Sequence, residues 1–198
     1  MKHKKSKHKK LDKIYFEYLS QRSFLGKIYR CFILYPRLDK YLKGKTLDIG
    51  CGIGDMLSYR PNTIGLDINP LNVNHCKKKN LEAYLMKKSH LPFKDQSFDS
   101  VLLDNVLEHI SKPTLLFNEI KRVLRPGGII LIGVPGIRGF KNDSDHKIFY
   151  DEMKLKNLAK KFNFSVKCIF YTPFFRSIFL SKGLKQYCIY TQWKKEIE

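Results

Sequence analysis

The stretch Thr46-Leu47-Asp48-Ile49-Gly50-Cys51-Gly52-Ile53-Gly54 decides the fold of this chain. Its first four residues form a short apolar strand, and glycine then occupies every second position. Glycine permits a tight turn and lets a ligand approach the backbone closely. The stretch therefore predicts a strand that runs into a ligand-binding loop.

The loop does not have the spacing of two common phosphate-binding motifs. Counted from Gly50, the dinucleotide fingerprint GxGxxG needs glycine or alanine at position 55, where this chain has Asp55. No GK[ST] ending follows, which excludes a P-loop. Asp48, just ahead of the loop, would repel a pyrophosphate and suits a cationic ligand, through an ammonium group or an ordered water. The alternative is a glycine turn that binds no ligand.

A second acidic residue, Asp67, ends the next predicted strand, residues 63–67. A carboxylate at this position can accept hydrogen bonds from two ribose hydroxyls. The alternative is a helix N-cap, shared with Asn69. The two acids and the glycine loop together indicate a pocket for an adenosine and an amino acid, at the carboxyl ends of the strands.

Apolar patterns alternate between strand and helix along the rest of the chain. The predicted strands lie near 45–49, 63–67, 83–86, 98–104 and 129–134, and the predicted helices near 55–59, 70–79, 113–124 and 151–162. Two further strands, 164–171 and 186–193, follow each other with only a short helix between them. This order predicts an α/β fold with helices on both faces of a mostly parallel sheet and an antiparallel edge strand.

Length and composition predict one domain. The 198 residues fit a disordered basic arm at 1–10 and a single domain at 11–198, made of N-terminal helices at 11–43 and a core at 44–198. No apolar run approaches the roughly 18 residues of a membrane span. The lysine-rich start lacks the apolar segment of a secretory signal, which favours a cytoplasmic location. Five cysteines without a CxxC pair argue against a disulfide framework or a zinc site.

The net charge of +20 attracts anions such as nucleic acid, phosphorylated sugars or lipid head groups. A solvated lysine-rich surface explains the charge equally well. The aromatic stretch 170–180, with Lys182 and Lys185 after it, could contact a membrane surface or a lipid-linked acceptor. The preferred interpretation of that stretch is an ordinary helix that faces the core.

Four sequence blocks resemble a known family. They are LDIGCGIGD at 47–55, GLDINP at 65–70, LPFKDQSFDSVLLDNVLEHI at 91–110 and EIKRVLRPGGIILIGVP at 119–135. In this order and spacing they are similar to the class I S-adenosylmethionine-dependent methyltransferases, and among these to the type 11 group. The resemblance implies a Rossmann-like, seven-stranded sheet with S-adenosylmethionine bound across its carboxyl edge.

The resemblance also assigns residues. Cofactor contacts are implied for Asp48, Gly50, Cys51, Gly52, Asp67, Ile68, Lys88 and Asn105. The loop residues and Asp48 would line the methionine part, Asp67 would bind the ribose, and Ile68 would pack on the adenine. Asn105 would lie near the sulfonium. Residues 125–128, Arg-Pro-Gly-Gly, would form a structural turn into the fifth strand.

This chain departs from the family pattern at two positions. Lys87 replaces an aspartate that often binds the adenine amino group, so the backbone at Lys87 and Lys88 is expected to hold the adenine. Some relatives bind a metal through an ExxEH motif, but Asn105 stands at its first position here. No metal is therefore expected, and Glu108 and His109 are interpreted as a polar pair at a helix end. The alternative is a cluster of these two residues with Asp104 and His146.

His146 is the candidate catalytic residue. It lies in the polar segment 142–146 after the fifth strand, where a loop would cover the transferred methyl group. An imidazole can take a proton from a hydroxyl or amine acceptor near neutral pH. The alternative is a surface histidine, or one that caps a helix beginning at Asp151. Tyr150 and Arg138 are weaker candidates for contact with the acceptor.

The preferred function is methyl transfer to oxygen or nitrogen of a small-molecule, sugar or glycan-precursor acceptor, which the basic charge allows to be anionic. One alternative is an RNA methyltransferase that uses the basic arm. Against it, the chain has no recognisable RNA-binding module, and Asp104-Asn105-Val106-Leu107 stands where base methyltransferases have an NPPY-like tetrapeptide. The other alternative is a non-catalytic binding protein, against which the intact set of acids and glycines argues.

Overall fold

The computed structural model describes residues 2–87 and 90–196, with the backbone alone at 2–9. A seven-stranded sheet with the order β3-β2-β1-β4-β5-β7-β6 forms its centre. The strands are β1 Thr46–Ile49, β2 Thr63–Asp67, β3 Ala83–Leu85, β4 Phe98–Asp104, β5 Leu124–Pro135, β6 Phe164–Thr172 and β7 Cys188–Lys195. The first five strands are parallel, and β7 runs antiparallel to both β5 and β6. The predicted fold class is confirmed.

The helices cover both faces of this sheet. They are α1 Lys2–Ser20, α2 Phe24–Tyr29, α3 Tyr35–Asp39, α4 Asp55–Tyr59, α5 Pro70–Lys78, α6 Thr114–Val123, α7 Ile137–Lys141, α8 Glu152–Lys161 and α9 Ile178–Gly183, with a π-helical turn at Arg30–Leu34 and a 3-10 turn at Leu107–His109. Side chains alternate between faces along a strand. Accordingly Val101 and Leu103 pack with α6 and α8, while Leu102 packs with α3.

The middle of the sheet is buried on both faces. Every residue of β1 and β2 is buried, as expected for parallel strands covered by helices on each side. The two strands pair in register, with Asp48 beside Gly65 and Ile49 beside Leu66. Their carboxyl ends therefore meet at one edge of the sheet, where the glycine loop begins.

The N-terminus differs from the expected disordered arm. Residues 2–10 continue the first helix, which runs without interruption to Ser20. The segment contains neither glycine nor proline, and lysine is a good helix former. The predicted short helices at 11–43 are present as the end of α1, α2, the π-helical turn and α3. None of the helices in the described ranges is both long and apolar enough to cross a membrane.

The predicted turn at 125–128 lies within the bounds of β5, but its four residues do not pair with β4. Phe98 pairs with Leu124 and Ser100 with Ile129, so residues 125–128 form an irregularity between the two pairs. Gly127 has a φ of +69°, which a turn of the backbone at this place requires. Proline and glycine therefore predicted a backbone turn ahead of the continuously paired part of β5, which begins at Ile129.

Candidate functional site

The glycine loop has the conformation that its sequence predicts. Gly50, Gly52 and Gly54 have φ values of +78°, +55° and +80°, in the left-handed region that favours glycine. A Cβ atom on Gly50 would lie 2.4 Å from Cγ2 of Val106, so the position has no room for a side chain. The loop thus exposes backbone where other residues would place side chains.

Asp67 is held in place by this loop. Its Oδ2 accepts a hydrogen bond of 2.8 Å from the backbone N–H of Gly52, and its Oδ1 accepts one of 2.7 Å from that of Asn69. Each carboxylate oxygen keeps a second lone pair, so the group fits the two hydroxyls of a ribose. The side chain of Asn69 caps α5 by accepting a hydrogen bond from Leu71 N–H, so the capping role belongs to Asn69.

Asp48 lies in an electrostatically unfavourable place for an anion. Burial raises its pKa well above the ordinary value, and the carboxylates of Asp104 and Asp67 raise it further. A nearby positive charge would offset this repulsion. The chemistry of these three acids therefore fits a ligand with a cationic ammonium or sulfonium group, as the sequence predicted from Asp48.

The predicted adenine contacts lie beside Asp67. Ile68 is 72% exposed at the end of β2, which is unusual for isoleucine and provides an apolar surface for a flat ring. The backbone N–H of Met86 donates a hydrogen bond to the carbonyl of Asp67, which brings the end of β3 to the same place. Lys87 follows directly. Lys88, the other predicted adenine contact, lies outside the described residues.

The side chain of Asn105 contacts the carboxylate of Asp104. Its φ is +55°, and its backbone N–H donates to the carbonyl of Gly133 over 2.9 Å. Its Nδ2 donates to Oδ1 of Asp104 over 2.8 Å, and the Tyr190 hydroxyl donates to the same oxygen over 2.6 Å. Asn105 thus lies at the carboxyl ends of β4 and β5, next to the first strand of the site.

Helix α1 packs over the carboxyl edge of the sheet near Asp67. The sequence did not indicate this position. Nδ2 of Asn69 donates a hydrogen bond of 2.8 Å to the carbonyl of Asp12, and the rings of Phe16 and His75 lie 5.5 Å apart. Desolvation of its hydroxyl, together with the nearby Asp67 carboxylate, raises the pKa of Tyr15 to about 12. The helical spacing of apolar residues in 11–19 predicted a helix, but it carried no information on where that helix packs.

His146 is neither a surface histidine nor a helix cap. Its side chain is only 8% exposed, and Asp151 itself caps α8 by accepting a hydrogen bond from Lys154 N–H. The Nδ1 of His146 lies 2.8 Å from the carbonyl oxygen of Phe140. Since a carbonyl only accepts, Nδ1 carries the proton and donates it. The other ring nitrogen, Nε2, lies 3.9 Å from Oδ2 of Asp143.

Glu108 is the residue that sequence reasoning misjudged. It is fully buried, and neither carboxylate oxygen has a hydrogen-bond partner among the described residues. Its Oε1 lies 3.7 Å from Nε2 of His146. Burial raises the pKa of Glu108 to about 8, and the charges of Asp104 and Asp143 act in the same direction. The motif suggested a polar side chain at a helix end, whereas the Glu108 carboxyl is buried in the protein interior.

His109 completes a compact cluster with these two residues. Its Nδ1 lies 3.2 Å from Oδ2 of Asp145, and its ring centroid lies 4.6 Å from that of His146. Burial lowers the pKa of His109, and the charge of His146 lowers it further. Ligand atoms of Glu108, His109 and His146 lie within 4.8 Å of one another, so the cluster has the residue types and spacing that could hold a metal ion.

Backbone hydrogen bonds bring the cluster together. The carbonyl of Glu108 accepts from the N–H groups of Lys147 and Ile148 over 2.8 and 3.1 Å, which ties the His146 loop to the end of β4. Residues distant in sequence therefore share one place, and no local motif could reveal this.

The two weaker candidates are already engaged. Tyr150 is buried in the main apolar core, and burial raises its pKa. Arg138 donates a hydrogen bond to the carbonyl of Gly183 in α9. Both side chains therefore have structural contacts, and no described hydrogen bond joins either of them to the carboxylates of the candidate site.

Comparison with known proteins agrees with the sequence blocks. Residues 47–132 match a family model described as a methyltransferase domain, of type 11. One curated relative is methyltransferase GfsG of Streptomyces halstedii, which is 31% identical over 56% of this chain and 44% of its own length. Another is a tRNA U34 carboxymethyltransferase of Nautilia profundicola, which is 28% identical over 66% of this chain and 48% of its own length. The chain spans about half the length of the first curated relatives it matches.

The solved structures show the same fold. A protein of Thermotoga maritima described as an S-adenosylmethionine-dependent methyltransferase, and as a possible histamine N-methyltransferase, superposes with a TM-score of 0.75. The match covers 93% of this chain and 98% of the other at 18% sequence identity. The family model thus agrees with the resemblance drawn from the four sequence blocks, and the solved structure agrees with the fold that the resemblance implies.

Proposed function

We propose, from the premise that this chain is a member of the class I, type 11 methyltransferases, that it transfers a methyl group from S-adenosylmethionine to oxygen or nitrogen of a small-molecule, sugar or glycan-precursor acceptor. One observation carries the proposal. The imidazole of His146 is oriented by the hydrogen bond from its Nδ1 to the carbonyl of Phe140, in a loop whose backbone is hydrogen-bonded to Glu108 just after β4.

The cofactor side rests on Asp48, Asp67 and the glycine loop. Asp67 would accept the ribose hydroxyls, and Asp48 would face the cationic amino-acid part. S-adenosylmethionine supplies an already activated methyl group, so the protein needs to position the acceptor and remove its proton. Asn105 and Ile68 would complete the pocket at the sulfonium and adenine ends.

His146 supplies the proton acceptor. A bond forms between the acceptor oxygen or nitrogen and the methyl carbon while the bond from that carbon to sulfur breaks. The acceptor proton passes to Nε2, because Nδ1 is already engaged with the carbonyl of Phe140. Glu108, whose Oε1 lies 3.7 Å from Nε2, would help to hold the imidazole in place.

Binding and turnover experiments test the proposal separately. Isothermal titration calorimetry should show binding of S-adenosylmethionine and of its demethylated product, and no heat with nicotinamide dinucleotides. Release of the demethylated product should then depend on addition of hydroxyl- or amine-bearing sugars. Binding of a nicotinamide dinucleotide without binding of S-adenosylmethionine would refute the cofactor assignment.

RNA methylation is the second candidate. The six lysines of residues 2–10 favour a polyanion, and one relative is described as a tRNA-modifying enzyme. The same assay with bulk tRNA as acceptor distinguishes the two candidates. Product release that requires tRNA and weakens steeply with salt would replace the small acceptor by RNA.

A further inference from the structure

Large apolar side chains are exposed mainly in two segments of the molecule. Of the twenty exposed large hydrophobic residues in the described part of the chain, thirteen lie in residues 11–33 or 174–179. They are Leu11, Ile14, Tyr15, Tyr18, Phe24, Leu25, Ile28, Phe32 and Ile33, and Phe174, Phe175, Ile178 and Phe179. We call these thirteen residues the apolar cap. The preferred sequence interpretation of 170–180 as a core-facing helix is therefore wrong for residues 174–179.

Polar contacts join the two segments of the apolar cap. Nη1 of Arg37 lies 3.4 Å from the carbonyl oxygen of Pro173 and 3.5 Å from that of Phe174, and donates toward both. Nζ of Lys185 lies 5.8 Å from the ring centroid of Tyr18. The N-terminal helices and the segment around α9 are thus neighbours in space, although about 150 residues separate them in sequence.

Basic residues outnumber acidic ones around the apolar cap: residues 11–33 contain Asp12 and Glu17 against four lysines and arginines. Residues 173–187 contain Arg176, Lys182 and Lys185 and no acidic residue. Residues 1–10 contain six lysines and no acidic residue. A surface that combines exposed aromatic and aliphatic side chains with lysine favours the interface of an anionic lipid bilayer.

The exposed aliphatic side chains decide between a bilayer and a nucleic acid. Phosphate contacts need cations, and base stacking needs aromatic rings, but neither uses Leu25, Ile33 or Ile178. Burial in the acyl boundary would remove all of these from water. Clusters of exposed apolar side chains often mark a site of interaction with a partner or a membrane.

We propose that the apolar cap docks this protein onto anionic lipid membranes, with its lysines at the head groups and its phenylalanines inserted below them. This binding is independent of the methyl-transfer chemistry. It would, however, hold α1 at the bilayer, and α1 covers the cofactor edge through the contact between Asp12 and Asn69.

Flotation with lipid vesicles tests the proposal. The full chain should float with vesicles of phosphatidylcholine and phosphatidylglycerol and stay behind with phosphatidylcholine alone. The double variant Phe32→Asp/Phe179→Asp should bind at least about tenfold more weakly, since two buried phenylalanines are lost. The matched control is Leu115→Asp on α6, which is 68% exposed outside the apolar cap and should bind like the wild type.

Two further measurements keep the result interpretable. Fluorescence of Trp193, the single and fully buried tryptophan, reports whether each variant is folded. A deletion of residues 2–10 should weaken binding and reduce its salt dependence while the phenylalanines still insert. Folded double variants that float as well as the wild type would overturn the proposal, as would binding that depends on the lysines alone. Preferential binding of RNA by the apolar cap would also overturn it.

Discussion

The two halves of the sheet's carboxyl edge are built in different ways. At β1 and β2, the acids lie within the strands or at their ends, and the backbone N–H groups of Gly52 and Asn69 donate hydrogen bonds to the Asp67 carboxylate. At β4 and β5, Glu108 and His146 are brought together from distant parts of the chain, and the Glu108 carboxylate has no hydrogen-bond partner among the described residues. The first half is therefore built from local turns, whereas the second depends on contacts between residues far apart in sequence.

This contrast assigns different tasks to the halves. Local turns with little dependence on the rest of the chain suit the binding of a ligand that is common to many enzymes. A cluster of poorly solvated titratable groups is typical of places where protons move. Substitutions in the two halves should therefore separate binding from turnover.

The largest expected effect follows from replacing His146. His146→Gln and His146→Ala should lower turnover by about 10²–10⁴-fold, because the acceptor proton loses its positioned base. Affinity for S-adenosylmethionine, measured by calorimetry, should barely change. His90→Gln provides a control, since His90 is mostly exposed and pairs with Glu119. Loss of cofactor binding in the His146 variants would mean that the residue closes the pocket.

Replacing Asp67 should weaken cofactor binding more than it lowers turnover. Asp67→Ala should weaken binding of S-adenosylmethionine by about 1–3 kcal/mol, since the ribose hydroxyls lose a charged acceptor. Turnover at saturating cofactor should fall much less. Asp95→Ala, at an exposed aspartate away from the site, serves as the control. An unchanged affinity in the folded Asp67 variant would place the ribose elsewhere.

Glu108 should make stability depend on pH. Burial raises its pKa in the folded protein from 4.5 to about 8, so between these values the unfolded chain releases a proton that the folded chain keeps. Stability is therefore lost as the pH rises, by about 1 kcal/mol from pH 6 to pH 7 at this group. Glu108→Gln should remove this loss. Urea unfolding followed by Trp193 fluorescence compares the two proteins, and parallel pH profiles would contradict the shift.

Metal removal should have the smallest effect. If Nε2 of His146 accepts the proton itself, treatment with a chelator should leave turnover unchanged. Zinc added in excess should inhibit, because an ion bound by Glu108, His109 and His146 would occupy that nitrogen. Turnover that disappears with the chelator and returns with one particular metal would make the cluster a metal centre.

Local sequence was sufficient to predict the backbone of the glycine loop. Alternate glycines after an apolar strand admit few backbone conformations, and three of them have the positive φ that makes glycine necessary. The position of Asp67 followed from the same logic, because parallel neighbours end at a common edge. The alternation of apolar patterns along the chain also predicted the order of strands and helices.

The second half could not be predicted in the same way. Asn105 at the start of the NVLEH segment argued against a functional role for Glu108, and a histidine in a polar loop is as often exposed as buried. The hydrogen bonds from Lys147 and Ile148 to the carbonyl of Glu108 decide the matter, and they involve only backbone atoms. Backbone contacts of this kind do not depend on residue type, so the sequence does not reveal them.

The sequence by itself predicted the fold class and the resemblance to methyltransferases, since these depend on short motifs and on the period of apolar residues. The tertiary structure alone decided that α1 covers the cofactor edge, that Glu108 is buried beside His146, and that the phenylalanines of 174–179 face outward with the N-terminal helices. Periodicity shows that a face is apolar, but only packing decides whether that face is covered. Burial and charge proximity arise from residues far apart in the chain, so they become visible only once the chain is folded.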